Sequence, residues 1–301
     1  MNALVIFHSG CMDGLGAAAA AVRGLGPNTD TWSANYGQDA PFDKAAGRDV
    51  YILDFAYPLA DMKKLREASN RFVWIDHHDT TEATLAGLKE GDRPQDVLIW
   101  SKKHCGAVLT WQYFERGRTP NGGVVQHDAM PAVLRYIEDR DLWFWQLPLA
   151  REVSEALFFT YNPSDRANLR LYIDTLLGAD IVKMAKVGEI LLQSKKLRVD
   201  RAAARAQPIN IFEKEGFVTY AVNTCEDISE VGEAICVKHA CDAAMIYYYG
   251  GDSKGWLCSL RSNNGTDVSK LAQLYGGGGH KAAAGFSLDI MTLQKKPKEG
   301  A

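Results

Sequence analysis

The sequence predicts an α/β protein in two parts: a domain built on a parallel sheet, then a helical connector leading to a smaller α/β domain. Three observations carry this. Short apolar runs alternate with helix-periodic segments through the first half, a long helix-periodic stretch runs from Asp165 to about Ala206, and strand-like and helix-like segments alternate again beyond it. At 301 residues the chain is long enough for two cores. The expected domains are 1–185 and 208–290, with a connector over 186–207 and a tail over 291–301.

The elements follow in order. "ALVIF" (3–7) is a strand, and after a Gly-rich turn "GAAAAAVRGLG" is a tightly packed helix. "DVYILDF" (49–55) is a second strand, "PLADMKKLREASN" a helix, and "RFVWIDHH" (71–78) a further strand. Strands alternating with helices favour parallel pairing. Residues 102–118 and 131–142 read as helices separated by the loop "TPNGG", and the stretch from Asp165 is helical with an interruption near Gly178. In the second domain "GFVTYAVN", "AAMIYYYG" and "GWLCSLRS" read as strands, with helices "ISEVGEAICVKHA" and "DVSKLAQLY" between them.

Composition narrows the function classes. Hydrophobic residues at 47% and charged residues at 24% fit a globular protein, and no apolar run reaches the length of a membrane span. "MNALVIFHSG" lacks the basic start of a signal peptide. Cys11, Cys105, Cys225, Cys236, Cys241 and Cys258 form no CxxC pair, which favours reduced thiols and a cytoplasmic setting. Net charge is −3, and residues 206–290 carry six Lys/Arg against ten Asp/Glu. That balance disfavours a clamp for long duplex and leaves room for a small anionic ligand.

Four polar groups fall just past the ends of expected elements: His8 and Asp13 in "HSGCMDG", Asp54 in "YILD", Asp76, His77 and His78 in "FVWIDHH", and Asp139 and Asp141 in "EDRDLW". Ligands of open α/β sheets bind outside the carboxyl ends of the strands, so three strands aim carboxylates and imidazoles at one crevice. Mixed carboxylate and imidazole donors suit Mn²⁺ or a similar divalent ion. Singly, each group has an ordinary reading: an N-cap or turn for Asp54, a core histidine for His78, loop chemistry for "GCMDGLG". Their joint placement points to a metal site.

"HSGCMDG", "ILD", "DHH", "EDRD" and "GGGGHKAAAG", in this order along nearly the whole chain, resemble the DHH phosphoesterase superfamily with its DHH-associated C-terminal domain. Within it the chain resembles the branch that cleaves very short RNA or dephosphorylates 3′-phosphoadenosine 5′-phosphate. It is more distantly similar to RecJ-type exonucleases and cyclic-dinucleotide phosphodiesterases. The resemblance implies two Mn²⁺ ions, Mg²⁺ being the alternative: one held by His8 and Asp54, the other by Asp13, Asp54, His77 and Asp139. Asp54 would bridge, Asp76 would orient an imidazole, and His78 would meet the phosphoryl group. No family role attaches to Asp141, which reads as a cap or salt-bridge residue. Where the family commonly has an Asp three residues after its first His, this chain has Cys11. A thiolate is a poor equivalent for a hard ion.

The resemblance also implies a C-terminal domain that closes over the cleft and grips substrate. The backbone N–H groups of Gly276, Gly277, Gly278 and Gly279 would form an anion nest, with His280 as a donor and Arg261 as a bidentate clamp. Asp267 and Ser269 would shape the pocket. The expected activity is metal-dependent hydrolysis of short oligonucleotides. Alternatives are a small-nucleotide phosphatase, a cyclic- or linear-dinucleotide phosphodiesterase and, in another class, a non-catalytic nucleic-acid-binding relative. The sequence leaves the oligomeric state open, a homodimer included.

Overall fold

The computed structural model describes residues 2–78, 81–89, 93–116, 130–251 and 254–288. The tail at 291–301 and the "TPNGG" loop lie outside the described residues. The chain divides into two compact units, Met1–Leu191 and Leu192–Ala301. The division falls inside one long helix, within the stretch 186–207 expected as the connector.

In the first unit β1 (Ala3–His8), α1 (Met12–Leu25), β2 (Asp30–Ala34), α2 (Phe42–Ala45), β3 (Asp49–Leu53), α3 (Leu59–Ala68), β4 (Arg71–Asp76), α4 (Glu82–Lys89) and β5 (Val97–Trp100) alternate. Then come α5 (Gly106–Arg116), α6 (Ala132–Asp141), α7 (Ala150–Thr160), α8 (Leu169–Thr175), a 3-10 turn (Leu176–Gly178) and α9 (Ile181–Ala204). The five strands pair in the order β2-β1-β3-β4-β5, all parallel. Helices cover both faces, which is why the strands read as unbroken apolar runs. Val5, Phe7, Leu53, Val73 and Ile75 pack with α1 and α5 on one face, and Leu4, Ile6, Val50, Ile52, Phe72 and Trp74 pack with α3 on the other.

The predicted α/β class is the observed one, with shifts in detail. The edge strands β2 and β5 and the helix α7 were not among the expected elements; β2 is only five residues long and half-exposed, so its apolar signal is weak. The helix expected from 102 begins at Gly106. The helix expected over 131–142 runs from Ala132 to Asp141, so Asp139 and Asp141 form its last turn and do not lie past its end.

The second unit holds the rest of α9, then β6 (Gln207–Ile209), β7 (Thr219–Asn223), α10 (Ile228–His239), β8 (Ala243–Tyr249), β9 (Trp256–Arg261), α11 (Val268–Gln273), β10 (Gly278–His280) and β11 (Ala283–Leu288). Its mixed sheet runs β10-β11-β9-β8-β7-β6. Side chains alternate between an α10 face, with Val222, Ala244 and Ile246, and an α11 face, with Met245, Leu260, Ala284 and Phe286.

Candidate metal centre and candidate anion shelf

The sheet order of the first unit reverses direction between β1 and β3, the place where such sheets open a crevice. His8 ends β1 and Asp54 follows β3, so these two side chains flank the crevice. Asp54 holds a left-handed backbone (φ 53°), and its N–H donates to the Ile75 carbonyl at 2.9 Å. A non-glycine residue kept there by its surroundings is a mark of functional sites.

Asp13 is buried in the first turn of α1 and accepts the Gly106 and Ala107 amides at 2.6 and 2.8 Å. It thereby caps α5, whose N-terminal dipole favours a carboxylate. Gly106 is required here: a Cβ would stand 2.7 Å from Asp54 Cβ and 3.0 Å from Asp13 Oδ2. No quoted motif contained Gly106; the sequence signal was only a glycine at a helix start.

Three groups of donor atoms converge, each within 4.8 Å: His8, Cys11 and Asp54; Asp54, His77 and His78; Asp13, His77 and Asp141. Asp54 Oδ2 faces His8 Nδ1 at 3.8 Å, while its Oδ1 lies 3.2 Å from His77 Nε2. That nitrogen is also 3.4 Å from Asp13 Oδ2 and 3.5 Å from Asp141 Oδ2. Asp54 therefore presents one oxygen to each side of the cluster.

Asp139 and Asp141 stand differently toward the donor cluster. Asp139 accepts the Gln146 and Leu147 amides at 2.9 and 3.3 Å and is buried holding that loop. Asp141, expected as a cap or salt-bridge residue, stands beside His77. Residues two apart on a helix point about 200° from one another, so only one of them can face the crevice.

Asp76 anchors the turn that follows β4. Its Oδ1 accepts the His77 and His78 amides at 2.7 and 3.2 Å and meets His78 Nδ1 at 2.7 Å. A carboxylate opposite Nδ1 places the proton on that nitrogen, so Asp76 orients His78 and leaves its Nε2 outward. Trp100 Nε1 and Thr81 Oγ1 donate to the His78 carbonyl at 3.0 and 2.8 Å and fix the backbone.

The electrostatics are those of a site short of positive charge. Burial, then the neighbouring Asp13 charge, pushes the Asp54 carboxyl well above its ordinary value. Burial and Asp13 likewise raise Asp141 to about 6. Burial works against a charged His77, yet its bonds to Asp13 and Asp54 outweigh that and push it up to about 11. Asp13 would also be raised by burial, but His77 and backbone donors bring it below its usual value. Burial, with Asp54 and Asp13, raises the Cys11 thiol. His8 Nδ1, Asp54 Oδ2 and Asp76 Oδ2 are buried with no hydrogen-bond partner among the described residues. Oxygen and nitrogen donors left bare beside one another fit divalent cations.

In the second unit, strand register brings Arg261 level with Ala283 of β11, and Ala283 level with His280 of β10. Arg261 and His280 thus share the α10 face of the sheet, separated by an alanine. Arg261 Nη1 donates to the Leu260 carbonyl at 2.9 Å, and its Nη2 reaches Ser229 Oγ of α10 at 3.2 Å. The four-glycine anion nest is corrected. The Gly276 and Gly277 amides already donate to Gln273 and Ala272 carbonyls at the end of α11 (3.0 and 2.9 Å). Gly278 and Gly279 lie in β10. Gly277 is there for close approach, since a Cβ would meet the Gly285 carbonyl oxygen at 2.1 Å. Successive strand amides point to opposite edges, so at most one of the four remains for an anion. Asp267 caps α11, accepting the Ser269 amide at 3.2 Å and its hydroxyl at 2.5 Å.

Comparison with known proteins agrees with this architecture. Residues 218–297 match the DHHA1 domain family. The uncharacterized protein R106 of Acanthamoeba polyphaga mimivirus is 28% identical over 250 residues, covering 81% of this chain and 54% of that protein. The chain thus spans about half the length of this curated relative. Among solved structures, the pGpG-specific phosphodiesterase PggH of Vibrio cholerae is similar with a TM-score of 0.55 at 14% identity, over 96% of this chain and 94% of that one. RecJ of Thermus thermophilus, solved with Mn²⁺, gives a TM-score of 0.47 at 16% identity, over 96% of this chain and 50% of that one. The C-terminal region thus matches a DHHA1 domain, and the chain shares its fold with PggH.

Proposed function

We propose that the protein is a metal-dependent phosphodiesterase that hydrolyses short oligonucleotides, of the kind that clears very short RNA, and that Mn²⁺ is its metal. The observation that supports this most is the arrangement around Asp54, with one oxygen toward His8 and Cys11 and the other toward His77. His8 and Asp54 would hold one divalent cation, with Cys11 beside it, and Asp54, Asp13, His77 and Asp141 a second, and such a pair supplies an activated water and charge neutralisation at a phosphoryl group. The chain's own part is positioning. Asp76 keeps the proton of His78 on Nδ1 and its Nε2 turned outward, where a phosphoryl oxygen can be met. Asp13 ties the crevice to the end of α5. Arg261 and His280 of the DHHA1 domain are proposed as contacts to a second phosphate or to one end of the substrate, with the one amide of Gly278 and Gly279 that points away from β11 as a further donor.

A second reading has its own support: PggH, similar in fold over almost its whole length, acts on a linear dinucleotide. Dinucleotides, five-nucleotide RNA and DNA, cyclic dinucleotides and 3′-phosphoadenosine 5′-phosphate, each incubated with purified protein and Mn²⁺, separate these readings. Metal-dependent cleavage of short RNA is expected. Turnover of 3′-phosphoadenosine 5′-phosphate alone would replace the phosphodiesterase by a phosphatase, and no turnover of any substrate would make the protein a non-catalytic relative.

A further inference from the structure

Beside the donor cluster, within the first unit, a hollow of about 280 Å³ is lined by Tyr36, Phe55, Tyr57, Thr81 and Thr84. Its aromatic wall is continuous with the cluster. His8 lies 5.4 Å from Tyr36 and 5.8 Å from Phe55 between ring centroids, Tyr36 lies 5.0 Å from Phe55, and Phe55 lies 4.8 Å from Tyr57.

Two of these rings are fixed and one is not enclosed. Phe55 and Tyr57 are buried, and the Phe55 carbonyl accepts Trp74 Nε1 at 2.9 Å. Tyr36 is 59% exposed on a turn whose Gln38 amide donates to the Asn35 carbonyl at 3.2 Å. Core packing accounts for the first two rings, while Tyr36 stays exposed and lines the hollow beside His8. Burial, with the charges of Asp76 and Asp54, raises the Tyr36 hydroxyl, which stays a neutral donor. The lining also carries hydroxyls: Thr81 donates its proton to the His78 carbonyl and keeps its oxygen as an acceptor, and Thr84 adds a second.

A flat ligand with an apolar face and a hydrogen-bonding edge matches such a wall; an alkyl chain or a bare sugar does not. We propose that this hollow is a nucleobase subsite, in which Tyr36 stacks on the base of the nucleotide whose phosphate lies beside His8 and His78. The inference rests on the reading of the centre as a nucleotide phosphodiesterase and adds which part of the chain reads the base.

Calorimetric titration of the full chain with Mn²⁺ tests it, using adenosine 5′-monophosphate and ribose 5-phosphate, which lacks the base. Wild type is expected to prefer the nucleotide by about tenfold or more, the effect of one stacked base. Tyr36→Ala should bring the two ligands within about twofold, whereas Tyr36→Phe, which retains the ring, should keep the preference. Equal affinities in wild type, binding of neither ligand, or a preference that survives Tyr36→Ala would overturn the subsite. The two proposals fail separately: cleavage of short RNA without a Tyr36-dependent preference removes the subsite alone. A Tyr36-dependent preference in a protein that cleaves nothing removes the enzymatic reading alone.

Discussion

At the strand ends of the first unit, His8, Asp54 and Asp76 each bury an atom without a hydrogen-bond partner among the described residues, whereas Arg261, on the sheet of the second unit, has its guanidinium engaged by a carbonyl and a serine. The first arrangement is costly by itself, because buried carboxylates repel one another and lose water. It becomes favourable when cations neutralise it. The second is satisfied as it stands and can exchange its partners for a phosphate at little cost. On the proposed function, the difference would separate a centre completed by cations from a surface that trades one set of hydrogen bonds for another. Removing a donor from the first should therefore do far more harm than removing one from the second.

The strongest break in that contrast is Asp54→Ala. Losing the shared carboxylate should cost at least about a thousandfold in turnover, roughly 4 kcal/mol of barrier. Metal analysis should then find less than the wild-type content. An Asp54→Ala protein within tenfold of wild type, or substantial turnover in EDTA, would contradict a centre built around Asp54.

Next come the two aspartates of α6. Asp141→Asn should lose metal and activity, whereas Asp139→Asn should keep its metal and lower the melting temperature by loosening the loop at Gln146 and Leu147. The opposite pattern in metal content would return the ligand role to Asp139.

Asp141 also supplies a test of sign. Its folded value is raised to about 6. The folded state therefore holds this proton more tightly than the unfolded state does. In the metal-free chain its contribution to stability should be retained at low pH and lost as pH rises from about 4 to about 6. Asp141→Asn should remove that slope and, in EDTA at neutral pH, be more stable than wild type. Saturating metal should reverse the order. Thermal melts across pH, with and without Mn²⁺, check both halves.

A smaller effect is expected on the shelf. Arg261→Ala and His280→Ala should each weaken binding of a non-hydrolysable dinucleotide by about 1.5–3 kcal/mol, one to two decades in affinity, with metal content unchanged. Wild-type affinity in both variants would remove this surface from the substrate's path. The smallest change expected is Cys11→Ser. A thiol pushed up by burial and by Asp54 and Asp13 is a weak donor, so activity should stay within about tenfold, or roughly 1.4 kcal/mol. A thousandfold loss accompanied by loss of one ion would instead make the sulfur a ligand.

The alternation of apolar runs with helical segments determined the α/β class, and the polar residues closing "ALVIF", "YIL" and "FVWI" were legible as one edge of a parallel sheet. Period and strand ends are local properties, written into consecutive residues. Which of Asp139 and Asp141 faces the crevice was not local. It depended on "EDRD" being the last turn of a helix rather than the loop after it, and on α6 packing with one side toward His77. Gly106 is an ordinary glycine in its local sequence, because its reason lies in Asp13 and Asp54, far away in the chain. The glycines from 276 to 279 looked like a phosphate nest, yet two of their amides close α11 and the other two residues enter β10. Tyr36 gained its meaning only when folding set it against Phe55 and His8. Consecutive residues determine which groups arrive at an edge; the packing of distant segments decides which way each one points and which partners remain for it.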